Sequence, residues 1–151
     1  MNKINNKKKK IFLGGTCADS NWRNTFIPML NNINMDYFNP LTNNWNDETR
    51  KQEIYEREHD DFILYVLSRV NSTYSIAEVV DDSNKRPEKT ICCVLNEDIY
   101  INDNFKPNHK IIKKSLTNQE FKHLDQVGKL CERNGAKYFN SLEDIIEFLI
   151  K

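Results

Sequence analysis

The sequence lacks an excess of charge and a long apolar run, and each absence excludes a class of protein. Its 22 lysine and arginine residues balance its 22 aspartate and glutamate residues, so no net field draws the chain to nucleic acid or to an anionic membrane. The longest apolar run, Phe62–Leu67, is much shorter than the roughly 20 residues that a membrane-spanning helix needs. We therefore predict neither a nucleic-acid partner nor a membrane partner.

The cysteines and histidines show no motif for a metal or a redox pair. The four cysteines form no C-x-x-C pair, and the three histidines share no metal-ligand spacing with them. Cys92 and Cys93 are neighbours on a predicted strand, so they point to opposite faces and pack as small apolar residues. Cys17 follows a glycine pair, as either a reactive thiol or an ordinary loop residue. We predict a reducing, cytoplasmic location, no metal and no cofactor.

Strand and helix patterns alternate along the chain after a polar, lysine-rich tail over residues 1–9. Residues 10–151 are expected to form a single domain, and the tail shows no signal-peptide pattern. Strands are predicted near residues 10–14, 36–39, 61–67, 90–95 and 136–139. Helices are predicted near residues 21–32, 47–59, 75–84 and 117–134, and from Ser141 onward. Pro28 falls inside the first helix, where proline shortens or kinks helices, and Asp47 is the expected N-cap of the second.

This alternation predicts an α/β fold in which a parallel sheet is covered on both faces. Five strands fit a flavodoxin-like three-layer sandwich with strand order 2-1-3-4-5. The polar stretch 96–114, which carries Pro107, is expected to be an irregular insertion.

Two predicted strand ends outline a site. One strand ends in Gly14-Gly15-Thr16, where missing side chains let the backbone approach a ligand. The strand 61–67 leads into a helix that carries Glu78 near its start. Ligands of open α/β sheets bind outside the carboxyl ends of the strands, and a glutamate there can attack an electrophilic carbon. A first-turn glutamate also occurs simply because it compensates the helix dipole.

Several short motifs occur along residues 9–95 in a specific order and spacing. They are Ile11-Phe12-Leu13-Gly14-Gly15-Thr16, Trp22-Arg23, Tyr37-Phe38-Asn39-Pro40, Trp45, Asp61-Phe62-Ile63-Leu64-Tyr65-Val66 and Tyr74-Ser75-Ile76-Ala77-Glu78. Through these motifs the chain resembles the nucleoside 2-deoxyribosyltransferase-like family. The resemblance implies a flavodoxin-like fold and the breaking and remaking of N-glycosidic bonds through a glutamate nucleophile, a role that falls on Glu78. It also implies a small-molecule nucleoside or nucleotide as partner, and a homo-oligomer with shared sites.

The same resemblance implies further site residues. The acid that supplies a proton to the leaving base falls on Glu53, with Glu56 one helical turn nearer to the strand. Asp61 lies at the far end of the sheet and is given a structural role. Trp22 is read equally as a core residue. The predicted substrate-binding residues are Gly14, Gly15, Thr16, Trp22, Asn39, Pro40, Trp45, Tyr74 and Ser75.

Two positions depart from the family pattern. Phe12 stands where the family commonly has a tyrosine that orients the nucleophile, and Ser72 or its neighbours stand where an aspartate recognises the base. Tyr74 or Tyr65 could supply the missing hydroxyl. Besides a transferase or hydrolase, two alternatives therefore remain open: a non-catalytic nucleotide-binding module, and a TIR-like glycohydrolase of dinucleotides. No G-x-G-x-x-G motif follows the first strand, which excludes a Rossmann dinucleotide site.

A phosphate subsite would distinguish nucleotide from nucleoside substrates. The glycine pair, Thr16, Ser20 and Arg23 could hold an anion at the start of the first helix, where backbone N–H groups converge. Ser75 could add a hydroxyl near the start of a later helix. The alternative is that Ser20 only caps its helix and Arg23 only faces solvent.

Overall fold

The computed structural model describes residues 7–17, 20–42, 44–102 and 110–151, and its centre is a parallel sheet with helices on both faces. The strands are β1 (Lys10–Gly15), β2 (Asp36–Phe38), β3 (Phe62–Leu67), β4 (Thr90–Val94), β5 (Glu97–Asn102), β6 (Lys110–Ser115) and β7 (Lys137–Phe139). The helices are α1 (Trp22–Asn32), α2 (Asp47–His59), α3 (Thr73–Lys85), α4 (Asn118–Arg133) and α5 (Leu142–Leu149).

The main sheet has the strand order β2-β1-β3-β4-β7, and all neighbouring strands in it are parallel. This confirms the order 2-1-3-4-5 that was predicted for the five strands. The order reverses at β1, which lies between β2 and β3. Gly15 is in register with Val66, so β1 and β3 end together at the edge where α/β sheets bind ligands.

Each face of the sheet carries its own hydrophobic core. Cys93 packs in the core under α1 and α5, whereas Cys92 packs in the core under α3 and α4. The predicted opposite orientation of the two cysteines is therefore confirmed. Helix α1 buries Trp22, Phe26 and Leu30, which recur every four residues, and it continues through Pro28 without being shortened.

Two sequence-based expectations about local structure were wrong. The stretch 96–114 is not irregular, because β5 and β6 pair as an antiparallel hairpin in which Ile101 lies opposite Ile111. Ile99, Ile101, Ile111 and Ile112 favour strand despite their polar neighbours, and Pro107 lies outside the described residues. The N-cap of α2 is Asn46 rather than Asp47, because Asn46 and Thr49 form a reciprocal capping box. Asp47 is the first residue of the helix, where its charge favours the helix dipole.

The helices of the described ranges are short. The longest of them, α4, has 16 residues and carries charges along its length. None of them is long and apolar enough to cross a membrane.

Candidate functional site

A cavity of about 360 Å³ opens where β1 and β3 end, between α2 and α3. Its position is the switch point of the sheet, where ligands of this architecture bind. Loops after β1 and β2 form one side, and the first two turns of α3 form the other. The lining residues are Phe12, Gly14, Gly15, Cys17, Arg23, Pro40, Leu41, Thr42, Trp45, Glu53, Tyr74, Ser75 and Glu78.

Most of the predicted site residues line this cavity, and three do not. Thr16 lines an adjoining depression of about 220 Å³ at the start of α3. Asn39 lines a second adjoining depression behind Pro40, and its side chain accepts a hydrogen bond from Leu41 N. Trp22 is buried under α1 and lines a different cavity. The structure therefore brings both predicted carboxylates to one cavity and leaves Trp22 in the core.

The glycine turn brings backbone to the cavity wall. Gly15 has a φ of +118°, a conformation that glycine adopts readily and other residues rarely. Thr16 N donates a hydrogen bond of 2.8 Å to the Val66 carbonyl, which extends the pairing of β1 with β3 beyond Gly15. The Thr16 hydroxyl accepts from Ser68 N and shares a hydrogen bond with the Ser72 hydroxyl. The loops after β1 and β3 are thus tied together beside the cavity.

Arg23 does not face solvent, which was one of the two alternatives that the sequence offered. Its guanidinium is buried and donates to the carbonyl oxygens of Leu13 and Thr16 at 2.8 to 3.1 Å. The Trp22 indole N–H also donates to the Thr16 carbonyl. These side chains therefore hold the turn after β1 in place.

Glu78 and Glu53 form a carboxyl pair at the cavity floor. Glu78 is only 8 % exposed and lies one and a half turns into α3, whereas Glu53 reaches the cavity from α2. Burial, hydrogen bonding to Glu53 and the charge of Glu53 raise the pKa of Glu78 to about 8. At neutral pH the raised pKa of Glu78 favours its protonated form, so the proton of the pair lies at Glu78 or between the two carboxyl groups.

Glu56 does not take part in this pair. Its carboxylate lies 2.9 Å from Lys10 Nζ, at the amino end of β1. Asp61 lies at the same end and accepts a hydrogen bond from Lys10 N, in agreement with the structural role predicted for it. Of the two acids that the sequence offered on α2, Glu53 is the one that reaches the cavity.

The hydroxyl groups considered as substitutes for Phe12 are placed differently from one another. The Phe12 ring stacks on Phe38 and packs against Tyr65 in the core beneath the cavity. The Tyr65 hydroxyl donates a hydrogen bond of 2.6 Å to Asp82 Oδ2, so its proton is used by Asp82 and not by Glu78. Tyr74 lies at the cavity mouth and is 67 % exposed.

A charged cluster that was not predicted from the sequence lies behind Glu78, and it includes Arg57 and Asp82. Arg57 Nη1 lies 3.2 Å from Glu78 Oε2, an ion-pair distance at which the alignment falls short of a hydrogen bond. Arg57 Nε donates to Asp82 Oδ2 at 3.1 Å. The sequence held one signal for this cluster. Glu53 and Arg57 are four residues apart on one helix, as are Glu78 and Asp82 on the next, so each pair shares a helix face. The spacing does not show that the two faces meet.

Comparison with known proteins identifies one family. Residues 8–97 match the model of a family described as nucleoside 2-deoxyribosyltransferase like. The match includes every residue that lines the cavity. Searches of curated proteins and of solved structures found no match.

Proposed function

Because the chain belongs to the nucleoside 2-deoxyribosyltransferase-like family, we propose that it transfers or hydrolyses at the N-glycosidic bond of a (deoxy)nucleoside or nucleotide. Family membership supports glycosyl-transfer chemistry in general. The observation that carries the finer proposal is the carboxyl pair of Glu78 and Glu53 at the floor of the switch-point cavity. Glu78 is the nucleophile in this proposal. The proton that the pair shares passes to Glu53 when the substrate binds, so Glu53 is the acid and Glu78 attacks as the carboxylate.

The proposed reaction has two steps. In the first, a carboxylate oxygen of Glu78 bonds to the anomeric carbon while the bond from that carbon to the base nitrogen breaks. The electron pair leaves with the base, which takes a proton from Glu53. In the second, water or another base attacks the anomeric carbon, Glu78 leaves as the carboxylate, and Glu53 takes up the proton that the acceptor loses.

The other cavity residues have supporting roles in this proposal. Trp45 and Tyr74 are aromatic, exposed and close to the cavity mouth, so they offer stacking surfaces for a base. Gly14, Gly15 and Pro40 let the sugar approach the backbone. Thr16, Trp22 and Asn39, which lie outside the cavity, support its loops rather than contact the sugar.

A 5′-phosphate is the feature that would distinguish a nucleotide substrate. Ser72 is the N-cap of α3, but its hydroxyl bonds to Thr16 and makes no capping bond to the helix. The first N–H groups of α3 therefore face the adjoining depression beside Thr73 and Ser75. This arrangement supports a phosphate subsite at the start of α3, besides the one considered at the start of α1.

A substrate screen tests the proposal. The wild-type protein is incubated with purine and pyrimidine nucleosides, deoxynucleosides, their 5′-monophosphates and NAD, with and without a second free base. Chromatography and mass spectrometry detect released base and exchanged nucleoside. We expect base release from at least one substrate, and exchange products would indicate a transferase. Binding without any release would favour the nucleotide-binding module, and release from NAD alone would favour the TIR-like alternative.

The variant Phe12→Tyr distinguishes an enzyme from a binding module. A hydroxyl at position 12 orients the nucleophile in the family pattern, and its absence here predicts slow turnover with intact binding. We expect Phe12→Tyr to raise kcat about 10-fold with little change in substrate affinity, because orientation of a nucleophile acts on the transition state. The measurement compares base release and ligand affinity for both proteins. Fast wild-type turnover that the variant does not improve would show that another group already orients Glu78.

A further inference from the structure

Two charged pairs face each other behind the cavity floor. On α2, Glu53 and Arg57 lie one turn apart, and on α3 Glu78 and Asp82 lie one turn apart. Residues four apart share a helix face, so the two pairs meet where α2 packs beside α3. Arg57 is the member of this set that carries a positive charge, and its side chain is only 13 % exposed. An ion pair so shielded from solvent is screened little by salt.

Asp82 holds Arg57 in a fixed orientation. Its carboxylate is fully buried and accepts hydrogen bonds from the Tyr65 hydroxyl at 2.6 Å and from Arg57 Nε at 3.1 Å. Arg86 also donates to the other oxygen of Asp82. A guanidinium is planar, so fixing Nε to one acceptor fixes the direction of its remaining N–H groups. The Nη1 group is thereby held 3.2 Å from Glu78 Oε2.

We infer that Arg57 is a positioning residue that holds the carboxylate of Glu78 and compensates its charge. This inference rests on the proposed function, in which Glu78 is the nucleophile. Arg57 contacts Glu78 Oε2, which leaves Oε1 as the oxygen assigned to the attack. Tyr65 acts on Glu78 only indirectly, because its hydroxyl orients Asp82 and Asp82 orients Arg57.

The charges around Glu78 explain why a cation is needed there. Glu53 on α2 and Asp82 on α3 both disfavour ionisation of Glu78, as does burial. Arg57 opposes them by favouring the ionised form. Asp81 forms a longer ion pair with Arg57, since its Oδ2 atom lies 3.8 Å from Arg57 Nη2. Without Arg57, the acidic side chains of Glu53, Asp81 and Asp82 would remain near Glu78. Among the described residues, no cation would then be in direct contact with Glu78.

The first test measures the pKa of Glu78 directly and does not depend on activity. Carboxyl ¹³C resonances are followed by NMR from pH 4 to pH 10, and the Glu78 signal is assigned from its loss in Glu78→Gln. The proteins compared are the wild type, Arg57→Met and Arg57→Lys. We expect Arg57→Met to raise the titration midpoint of Glu78 by about one pH unit or more, because an opposite charge at ion-pair distance is lost. Arg57→Lys, which keeps the charge, should stay close to the wild type.

Arg50→Met is the matched control. Arg50 is an exposed cation on the same helix, so the substitution removes the same charge at a distance from Glu78. We expect it to leave the midpoint of Glu78 within a few tenths of a pH unit. An equal midpoint in Arg57→Met and Arg50→Met would overturn the inference.

The second test measures base release over the same pH range. We expect Arg57→Met to lower kcat about 100-fold near pH 7, to change KM much less, and to move the rising limb of the pH profile to higher pH. Arg57→Lys should keep the wild-type pH profile but lose kcat, because an ammonium cannot bridge Glu78 and Asp82 as the planar guanidinium does. A merely structural Arg57 would lower the amount of active protein without moving the pH profile. If no variant and no wild type releases base, the proposed function fails while the NMR titration still decides the role of Arg57.

Discussion

Replacing Glu78 by glutamine is expected to lower the rate of base release by at least about 10⁴-fold while the protein stays folded. Glutamine has the shape of glutamate, but its amide cannot form the covalent bond to the anomeric carbon that the proposed mechanism requires. The measurement is kcat for base release by Glu78→Gln on the best substrate from the screen. Glu48→Gln is the control, because Glu48 lies on α2 with an 85 % exposed side chain. Turnover in Glu78→Gln equal to that of this control would exclude Glu78 as nucleophile.

The same variant is expected to be more stable than the wild type at alkaline pH. The pKa of Glu78 is about 8 in the folded protein against an ordinary value of 4.5, so folding favours its protonated form. Its contribution to stability is fully present below about pH 4.5 and is lost as the pH rises through 8. Glutamine does not ionise, so Glu78→Gln should gain about 1–2 kcal/mol of unfolding free energy over the wild type at pH 8. Urea unfolding at pH 5 and pH 8 measures this gain, which also shows that lost activity is not lost folding.

Gly15→Ala is expected to cost at least about 3 kcal/mol of unfolding free energy, more than most single substitutions. Gly15 combines a φ of +118° with close contact to β3, since an added Cβ atom would lie 2.1 Å from the Val66 carbonyl oxygen. That oxygen belongs to the backbone of a central strand and cannot move without breaking the sheet. Denaturant unfolding of wild type and variant gives the difference. If the variant folds, base release should also fall, because Gly15 lines the cavity.

Gly135→Ala is the matched comparison for Gly15→Ala. Gly135 also has a positive φ, of +107°, but an added Cβ atom would meet only the Pro87 side chain, at 3.2 Å. This variant therefore reports backbone strain without a clash, and we expect it to cost about 1–2 kcal/mol. Equal losses in the two variants would show that the contact of Gly15 with Val66 contributes nothing.

Much of the fold could be predicted because local signals agreed with the final packing. The apolar run of β3 and the alternation of strands and helices led to the correct sheet order. The limits of α2 followed from its charged, helix-forming residues. The hairpin of β5 and β6 was missed because strand pairing joins residues that are distant in sequence, and because the stretch is mostly polar and carries Pro107.

The candidate site was predicted less completely than the fold. Glu78 could be placed because it follows a strand end near the start of a helix and because the family resemblance gave it a role, whereas Glu53 was placed by the resemblance alone. Arg23 and Arg57 could not be placed, since an arginine in a polar helix is read as exposed unless its partners are known. Arg23 is buried because three carbonyl groups of the β1 turn accept its hydrogen bonds. Such partners come from tertiary structure, and sequence spacing alone does not name them.

Helix α2, which forms one wall of the cavity, is held to the sheet mainly by polar contacts. Glu56 is the residue of α2 that is buried in the described structure, and it is a charged one, so polar contacts rather than apolar packing hold this cavity wall to the sheet. The C-cap of α2 is also a polar residue, Asp60. Burial and the neighbouring Glu56 raise the pKa of Asp60 to about 8. Local opening of α2 should therefore require less free energy than opening of β1 or β3. We expect the amide hydrogens of α2 to exchange with solvent sooner than those of the sheet. Under the proposed function, movement of α2 away from the cavity would let a substrate enter while the sheet behind it stays intact.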